Sequence, residues 1–247
     1  MSPHLCRTPL RILLLASLLL FAGCATTNEF ADPRDPFEGF NRSIHTFNEK
    51  VDRHLMRPVA QGYVEITPRP VQRGIGNFFN NLGDVRSAAN NFLQLKIGPG
   101  LSDVSRVLIN TTVGIGGIFD VASTADIPRY EEDFGQTLGY WGVPPGPYLV
   151  LPFLGPSSVR DSVGLVGDWH LAPLTYLEED KIRIALRGIH LVDLRAQLLG
   201  ATDLLDRAAL DPYSFTRDAY LQRRLDRVYD GNPPMDDDLF DDALFFE

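Results

Sequence analysis

The chain has 247 residues, a formal net charge of −9 and 44% hydrophobic residues. That length suits one domain with a sizeable core. The acidic balance speaks against nucleic acid, whose phosphates need clustered Lys and Arg, and against docking by charge on anionic lipid headgroups.

At the N-terminus, Arg7 and Arg11 precede an apolar run from Ile12 that is too short to span a bilayer. Ala22-Gly23-Cys24 resembles a bacterial lipobox, in which cleavage leaves Cys24 as an acylated N-terminus. An ordinary cleavage site beside a chance cysteine is the competing reading. Residues 1–23 are thus expected to be a cleaved signal peptide, whose loss takes the formal charge from −9 to −11 because Arg7 and Arg11 leave with it. Cys6 leaves too and Cys24 is spent on lipid, so neither a disulfide nor a thiol nucleophile is expected. Several acyl chains, at roughly 0.8 kcal/mol per buried methylene, make anchoring effectively permanent. Ala25 stands where Asp usually marks retention at the inner membrane, which favours the outer membrane.

Residues 24–34 form a lipidated tether, and a helical domain is expected over 35–230. Asp35-Pro36-Phe37-Glu38 has the makings of a capping box. Phe37, Phe40, Ile44, Phe47, Val51 and Leu55 follow at helical spacing, and Pro58 predicts the end of that helix. Thr67-Pro68 predicts a second helix through Leu82, and Asp84 a cap for a third running to Leu95. Gly98-Pro99-Gly100 predicts a break, with a fourth helix from about Ser102. Glu178–Leu199 is long and periodic, and Asp211-Pro212 opens a last helix. No strand pattern competes over comparable length. The fold expected is mainly α.

Two stretches stand apart. Phe134–Val159 holds no charged side chain, yet Pro144, Pro145, Pro147, Pro152 and Pro156 and several glycines interrupt it. A lipid-exposed span is excluded, because broken backbone hydrogen bonds find no replacement in hydrocarbon. Two settings stay open: a buried loop of a soluble domain, or irregular backbone at membrane depth packed on protein or lining a cavity. Tyr140, Trp141 and Tyr148 favour the second, since amphipathic rings suit membrane interfaces. Val107–Phe119 is also uncharged and carries Gly114, Gly116 and Gly117, readable as a tight turn or as close membrane packing. From Gly231 to Glu247 an acidic tail alternates Asp with Leu and Phe, either solvated and disordered or docking on a partner.

Catalytic and cofactor signals are weak. Gly74-Ile75-Gly76 lacks the third glycine of a dinucleotide loop, having Phe79 in its place. His45, His54, His170 and His190 are not paired at metal-ligand spacing. Ser157 or Ser158 with Asp168 and His170 supplies the atom types of a triad, but without a Gly-x-Ser-x-Gly elbow. Glu131-Glu132-Asp133 reads as the first turn of a helix. No enzyme, cofactor or metal is expected.

Asp35-Pro36-Phe37-Glu38-Gly39-Phe40-Asn41-Arg42, Arg57-Pro58-Val59-Ala60, Leu108-Ile109-Asn110-Thr111-Thr112, Phe134-Gly135-Gln136-Thr137-Leu138-Gly139, Gly146-Pro147-Tyr148, Arg160-Asp161 and Asp211-Pro212-Tyr213 together resemble the MlaA (VacJ) family of outer-membrane lipoproteins. The resemblance implies a ring of amphipathic helices in the inner leaflet of the outer membrane, around an amphipathic phospholipid channel. It implies partners as well: a trimeric porin and a soluble periplasmic phospholipid carrier. Tyr140, Trp141, Gly142, Gly146 and Tyr148 are the expected channel or hairpin residues, with Gly142 and Gly146 as hinges. A structural adaptor that only recruits partners is the alternative.

Overall fold

A computed structural model describes residues 32–234; the expectations for the leader, Cys24 and the tail beyond residue 234 lie outside them. The described chain is mainly helical. Helix α1 (Glu38–Val51) runs through a π-helical turn (Asp52–Met56) into α2 (Arg57–Ile66). A long α3 (Arg69–Leu93) pairs with α4 (Ile97–Thr112). A single turn, α5 (Val121–Thr124), leads to α6 (Phe134–Tyr140). An antiparallel hairpin follows, β1 (Tyr148–Leu151) against β2 (Gly155–Ser158), with Tyr148 opposite Ser158. Then come α7 (Val159–Leu171), α8 (Asp180–Gln197), α9 (Leu199–Ala208) and α10 (Pro212–Val228). Among the described residues no helix is long and apolar enough to cross a membrane.

Several expected boundaries move, each for a local reason. Pro58 does not end the first helix. It sits in the first turn of α2, directly behind the π turn, whose wider winding relieves the clash of its ring with the preceding carbonyls. Asp84 caps nothing, because α3 continues through it. Its carboxylate is buried at 1% exposure and receives Arg106 Nε at 3.3 Å and Arg129 Nε at 2.5 Å. Gly98-Pro99-Gly100 is not the break either. It forms the first turn of α4, where missing or weak backbone donors cost nothing. The chain turns just before, at Leu95, with φ of 61°. Gly100 lets Phe92 of α3 pack against the helix backbone, since a Cβ there would meet its ring at 2.7 Å. Asp35 leaves its capping role to join a tertiary node. Of Glu131-Glu132-Asp133, only Asp133 caps α6, accepting the Gln136 N–H at 2.9 Å.

The interior inverts the usual pattern. Among the described residues, the buried apolar side chains are few, with Tyr148, Val150 and Tyr213 forming one small cluster. Buried polar ones predominate, including Asn41, Asp84, Asn90, Asn91, Gln94, Asp103 and Arg106. Helix α4 turns Gly100, Asp103, Arg106 and Asn110 inward while Leu101 and Leu108 lie exposed. Helix α7 buries Arg160, Asp161, Gly164 and Asp168 and exposes Val159, Val163, Val166 and Trp169. Water-soluble helices do the opposite.

The chain closes on itself. Asp35 accepts the Tyr213 hydroxyl and the Asn41 amide, the latter at 2.8 Å, and lies 3.5 Å from Arg217. Helix α10 thereby binds the segment that leads into α1. Higher up α10, Arg224 reaches Asp133 at 2.5 Å and Asp161 at 2.8 Å, so the same helix also joins α6 to α7.

Candidate functional site: a helix-pinned hairpin beside a headgroup-sized cavity

The hairpin is held by two asparagines on one face of α1. Asn41 donates to the Tyr148 carbonyl at 3.0 Å and accepts the Val150 N–H at 2.9 Å. Asn48, two turns later, donates to the Leu151 carbonyl at 2.9 Å and accepts the Phe153 N–H at 2.8 Å. Each amide replaces the backbone of a missing strand and satisfies edge groups that would otherwise be orphaned. On the same strand, the Tyr148 N–H donates to the Arg34 carbonyl at 2.9 Å. Neither asparagine stood out as a site residue in the sequence. The available signal was a row of Asn41, His45 and Asn48 beside the apolar row of Phe40, Ile44, Phe47 and Val51.

Of the expected site residues, the structure separates two groups. Tyr140 and Trp141 end α6 and are about half exposed, with Trp141 Nε1 donating to the Leu93 carbonyl at 3.1 Å. Lys96 stands 5.6 Å from the Tyr140 ring centre. Gly142 has φ of 85° and completes the helix end: its N–H bonds the Gly139 carbonyl at 2.9 Å, and that of Val143 bonds Leu138 at 3.0 Å. This is a Schellman cap, which glycine accepts without strain. Gly146, φ 65°, lies against Val159. Tyr148 is apart from these, fully buried, with Tyr213 and Tyr220 rings about it. Burial pushes its phenol well above the usual range.

Tyr148 borders a cavity of about 230 Å³ lined by α1, the π turn, α2, the hairpin, α8, α9 and α10. His45, Asp52, Arg57 and Arg195 line it with Val150 and Leu205. Arg195 grips Asp52 along one edge, Nε to Oδ1 at 2.5 Å and Nη2 to Oδ2 at 2.8 Å. Arg57 pairs with Asp203. Burial lowers the His45 pKa, favouring the neutral ring. Arg195 passed unnoticed in the sequence because a single arginine in a periodic helix carries no motif.

A second, larger cavity of about 820 Å³ is apolar, walled by Ile75, Phe78, Ile118, Phe119, Leu186 and Ile189, with Arg73 and Asp120 at its border. Both cavities abut α8. The glycine-rich 113–119 segment is a tight turn, with Ile115, Gly116 and Gly117 at positive φ and Val113, Ile115, Ile118 and Phe119 exposed.

The residues of the triad pattern are otherwise employed. Ser158 caps α7 by accepting the Asp161 N–H at 3.1 Å. Ser157 bonds the Ser162 hydroxyl at 3.0 Å, and His170 Nδ1 faces the Val166 carbonyl at 2.7 Å.

A helical protein with its polar groups inside, its apolar side chains outside and a mixed-polarity hollow belongs among proteins that meet lipid. The family profile of the MlaA lipoprotein matches residues 33–227, and the chain belongs to that family. The intermembrane phospholipid transport system lipoprotein MlaA of Escherichia coli K12 is 38% identical over 209 residues, covering 83% of this chain and 82% of the relative. Its counterpart in Haemophilus influenzae is 34% identical over 224 residues, 88% and 89% of the two chains. A solved structure from work on the structural basis for maintenance of bacterial outer membrane lipid asymmetry superposes with a TM-score of 0.69 at 38% identity, covering 80% of this chain and 99% of that one.

Proposed function

We propose that this chain is an outer-membrane lipoprotein that takes mislocalised phospholipid from the outer leaflet and passes it to a soluble periplasmic carrier, preserving lipid asymmetry. The inverted burial carries the reading: apolar rows on α4 and α7 face outward while their charges face in, which suits a body lying in a leaflet and not one surrounded by water. The relatives' named role in intermembrane phospholipid transport supports it.

A phospholipid needs polar walls for its headgroup and apolar walls for its tails. The cavity beside Arg195 has charged side chains on a mixed lining, and the larger one beside Phe78 is apolar. Acylation at Cys24 would hold the body at the inner leaflet of the outer membrane, beside a trimeric porin. The charge-free segment from Tyr140 to Tyr148 would gate access, with Gly142 and Gly146 bending. No energy source is part of this reading, so direction comes from partners or a gradient. Transport, not chemistry, is the proposed activity.

The test is lipid carried by the full-length protein purified from outer membranes in detergent. Intact co-purifying phospholipid, with raised outer-leaflet phospholipid in cells lacking the gene, is expected. Lipid-free protein would favour an adaptor, and released fatty acid or lysolipid would favour a hydrolase.

A further inference from the structure

The phosphate and the acyl chains of a phospholipid are joined, so a seat for both needs a polar and an apolar hollow that meet. The cavity beside Arg195 shares no wall residue with the apolar one of about 820 Å³. A third hollow, of about 340 Å³, does share its wall: Arg73 and Asn77 of α3 line both it and the apolar cavity. Arg69 stands one turn before Arg73 on the polar side. Arg69, Arg73 and Asn77 therefore form one row at i, i+4 and i+8 on a single face of α3. Helix α8 supplies Asp193 and Gln197 to the same hollow.

The charge on this wall is unbalanced. Among the described arginine side chains, only Arg69, Arg73 and Arg223 make no hydrogen bond or ion pair. Two of these three sit one turn apart, where like charges repel, and both are exposed, within reach of a ligand. The carboxylates bordering the two hollows are already engaged. Asp193 accepts the Tyr63 hydroxyl at 2.9 Å and the Gln197 amide at 2.8 Å, and Asp120 holds Arg106 at 3.0 Å. Two guanidinium groups so placed select an anion, and their planar forks match phosphate oxygens.

Resting on the phospholipid reading above, we propose that Arg69 and Arg73 hold the phosphate of a phospholipid whose acyl chains lie in the adjoining apolar cavity. Along α3 the wall changes from Arg69 to Phe79 over roughly 15 Å, with Arg73 and Asn77 at the join. The apolar volume of about 820 Å³ falls inside the range of ligand pockets, roughly 300–1,000 Å³. The seat therefore reads phosphate at one end and hydrocarbon at the other.

Arg69→Gln combined with Arg73→Gln removes both cations, keeps good helix formers and breaks no hydrogen bond or ion pair of the described residues. Ile189→Asp, at a partly exposed position, puts a charge on the apolar wall. Full-length protein in non-ionic detergent is stripped of lipid and exposed to micelles carrying dioleoyl phosphatidylcholine or dioleoylglycerol, and retained lipid is counted. Phosphatidylcholine has no net charge, so attraction to an anionic surface is not what is read. The parent is expected to hold the phospholipid about tenfold better than the diacylglycerol, as hydrogen bonds to a charged group predict. The double variant should lose most of that preference with diacylglycerol retention unchanged, and should melt as the parent does. Ile189→Asp should lower retention of both lipids alike. A double variant that retains phosphatidylcholine like the parent, or an Ile189→Asp protein that keeps both lipids, overturns the seat while the conduit reading stands. A parent that holds neither lipid overturns the conduit reading and the seat with it. Displacement of bound phospholipid by millimolar inorganic phosphate, with Arg73-dependent phosphate binding by lipid-free protein, would assign the pair to soluble phosphate and overturn the headgroup proposal.

Discussion

At the scale of single residues, glycine matters here for closeness more than for bending. A Cβ on Gly164 of α7 would stand 2.6 Å from the Gly135 nitrogen of α6, and one on Gly135 would meet Asp161 and Arg224. Neither backbone can retreat, because Arg224 ties both helices. Gly164→Ala should therefore destabilise by about 1–3 kcal/mol, the range of overpacked cores, read as a lowered chemical-denaturation midpoint in detergent. Gly142 differs. Nothing lies within 4 Å of a Cβ there, and the φ of 85° is the obstacle. Gly142→Asn, which tolerates that conformation, should leave outer-leaflet phospholipid near the parental level, whereas Gly142→Val should raise it. A valine variant with parental lipid asymmetry would dismiss the hinge.

Asp120 gives a residue-scale pH dependence. Burial works against its charge, but the Ser123 hydroxyl and N–H, the Asn110 amide and Arg106 prevail and bring its pKa down to about 2. A carboxyl depressed in the folded state contributes stability above its unfolded pKa and loses it as pH falls toward the folded value. Melting temperature should fall between about pH 4 and pH 2, and less steeply in Asp120→Asn, whose starting stability is already lower.

At the scale of elements, α10 acts as a strap. Tyr213 and Arg217 reach Asp35, Tyr220 reaches Asp161 at 2.5 Å, and Arg224 spans Asp133 and Asp161. Arg224→Ala abandons two largely buried carboxylates, and breaking such a pair costs about 3–5 kcal/mol. Limited proteolysis should show earlier cleavage in the variant, with α6 and α7 losing protection together. The sequence announced this helix well, since Asp211-Pro212 is a sound start and Asp211 does cap it, accepting the Tyr213 N–H at 3.1 Å. It announced α3 badly. Asp84 looks like a cap because an isolated acid before Val85 and Ala88 usually is one. Only the arrival of Arg106 and Arg129 from distant positions makes it an interior residue. Gly98-Pro99-Gly100 misled for a related reason, as the signals that end a helix also suit its opening turn. The hairpin lay inside the charge-free stretch but had no alternating pattern. Its edge is satisfied by Asn41 and Asn48, which are remote in sequence.

At the scale of the whole molecule, the exterior is the functional statement. Leu108 is 60% exposed and Val163 59% exposed, each on a helix whose charges face inward. In water, replacing either with Lys would be near neutral. In a leaflet it places a cation in hydrocarbon. The pair Leu108→Lys and Val163→Lys, in protein made without residues 1–24, should keep the detergent melting temperature and lose co-flotation with phospholipid vesicles. Equal flotation would argue that this face does not meet the bilayer. The family resemblance was legible from many short motifs, but the cavity was not. Its walls come from seven elements, α1, the π turn, α2, the hairpin, α8, α9 and α10, which lie far apart along the chain.

The polar interior has a calorimetric consequence. Hydration of exposed apolar surface raises the heat capacity on unfolding and that of polar surface lowers it. This chain would release mainly amides and carboxylates from its centre, while its greasy rows are covered by detergent throughout. Scanning calorimetry should accordingly give an increment well under the usual ~12–15 cal/mol/K per residue, and a flatter stability curve with temperature than a water-soluble helical protein of this size.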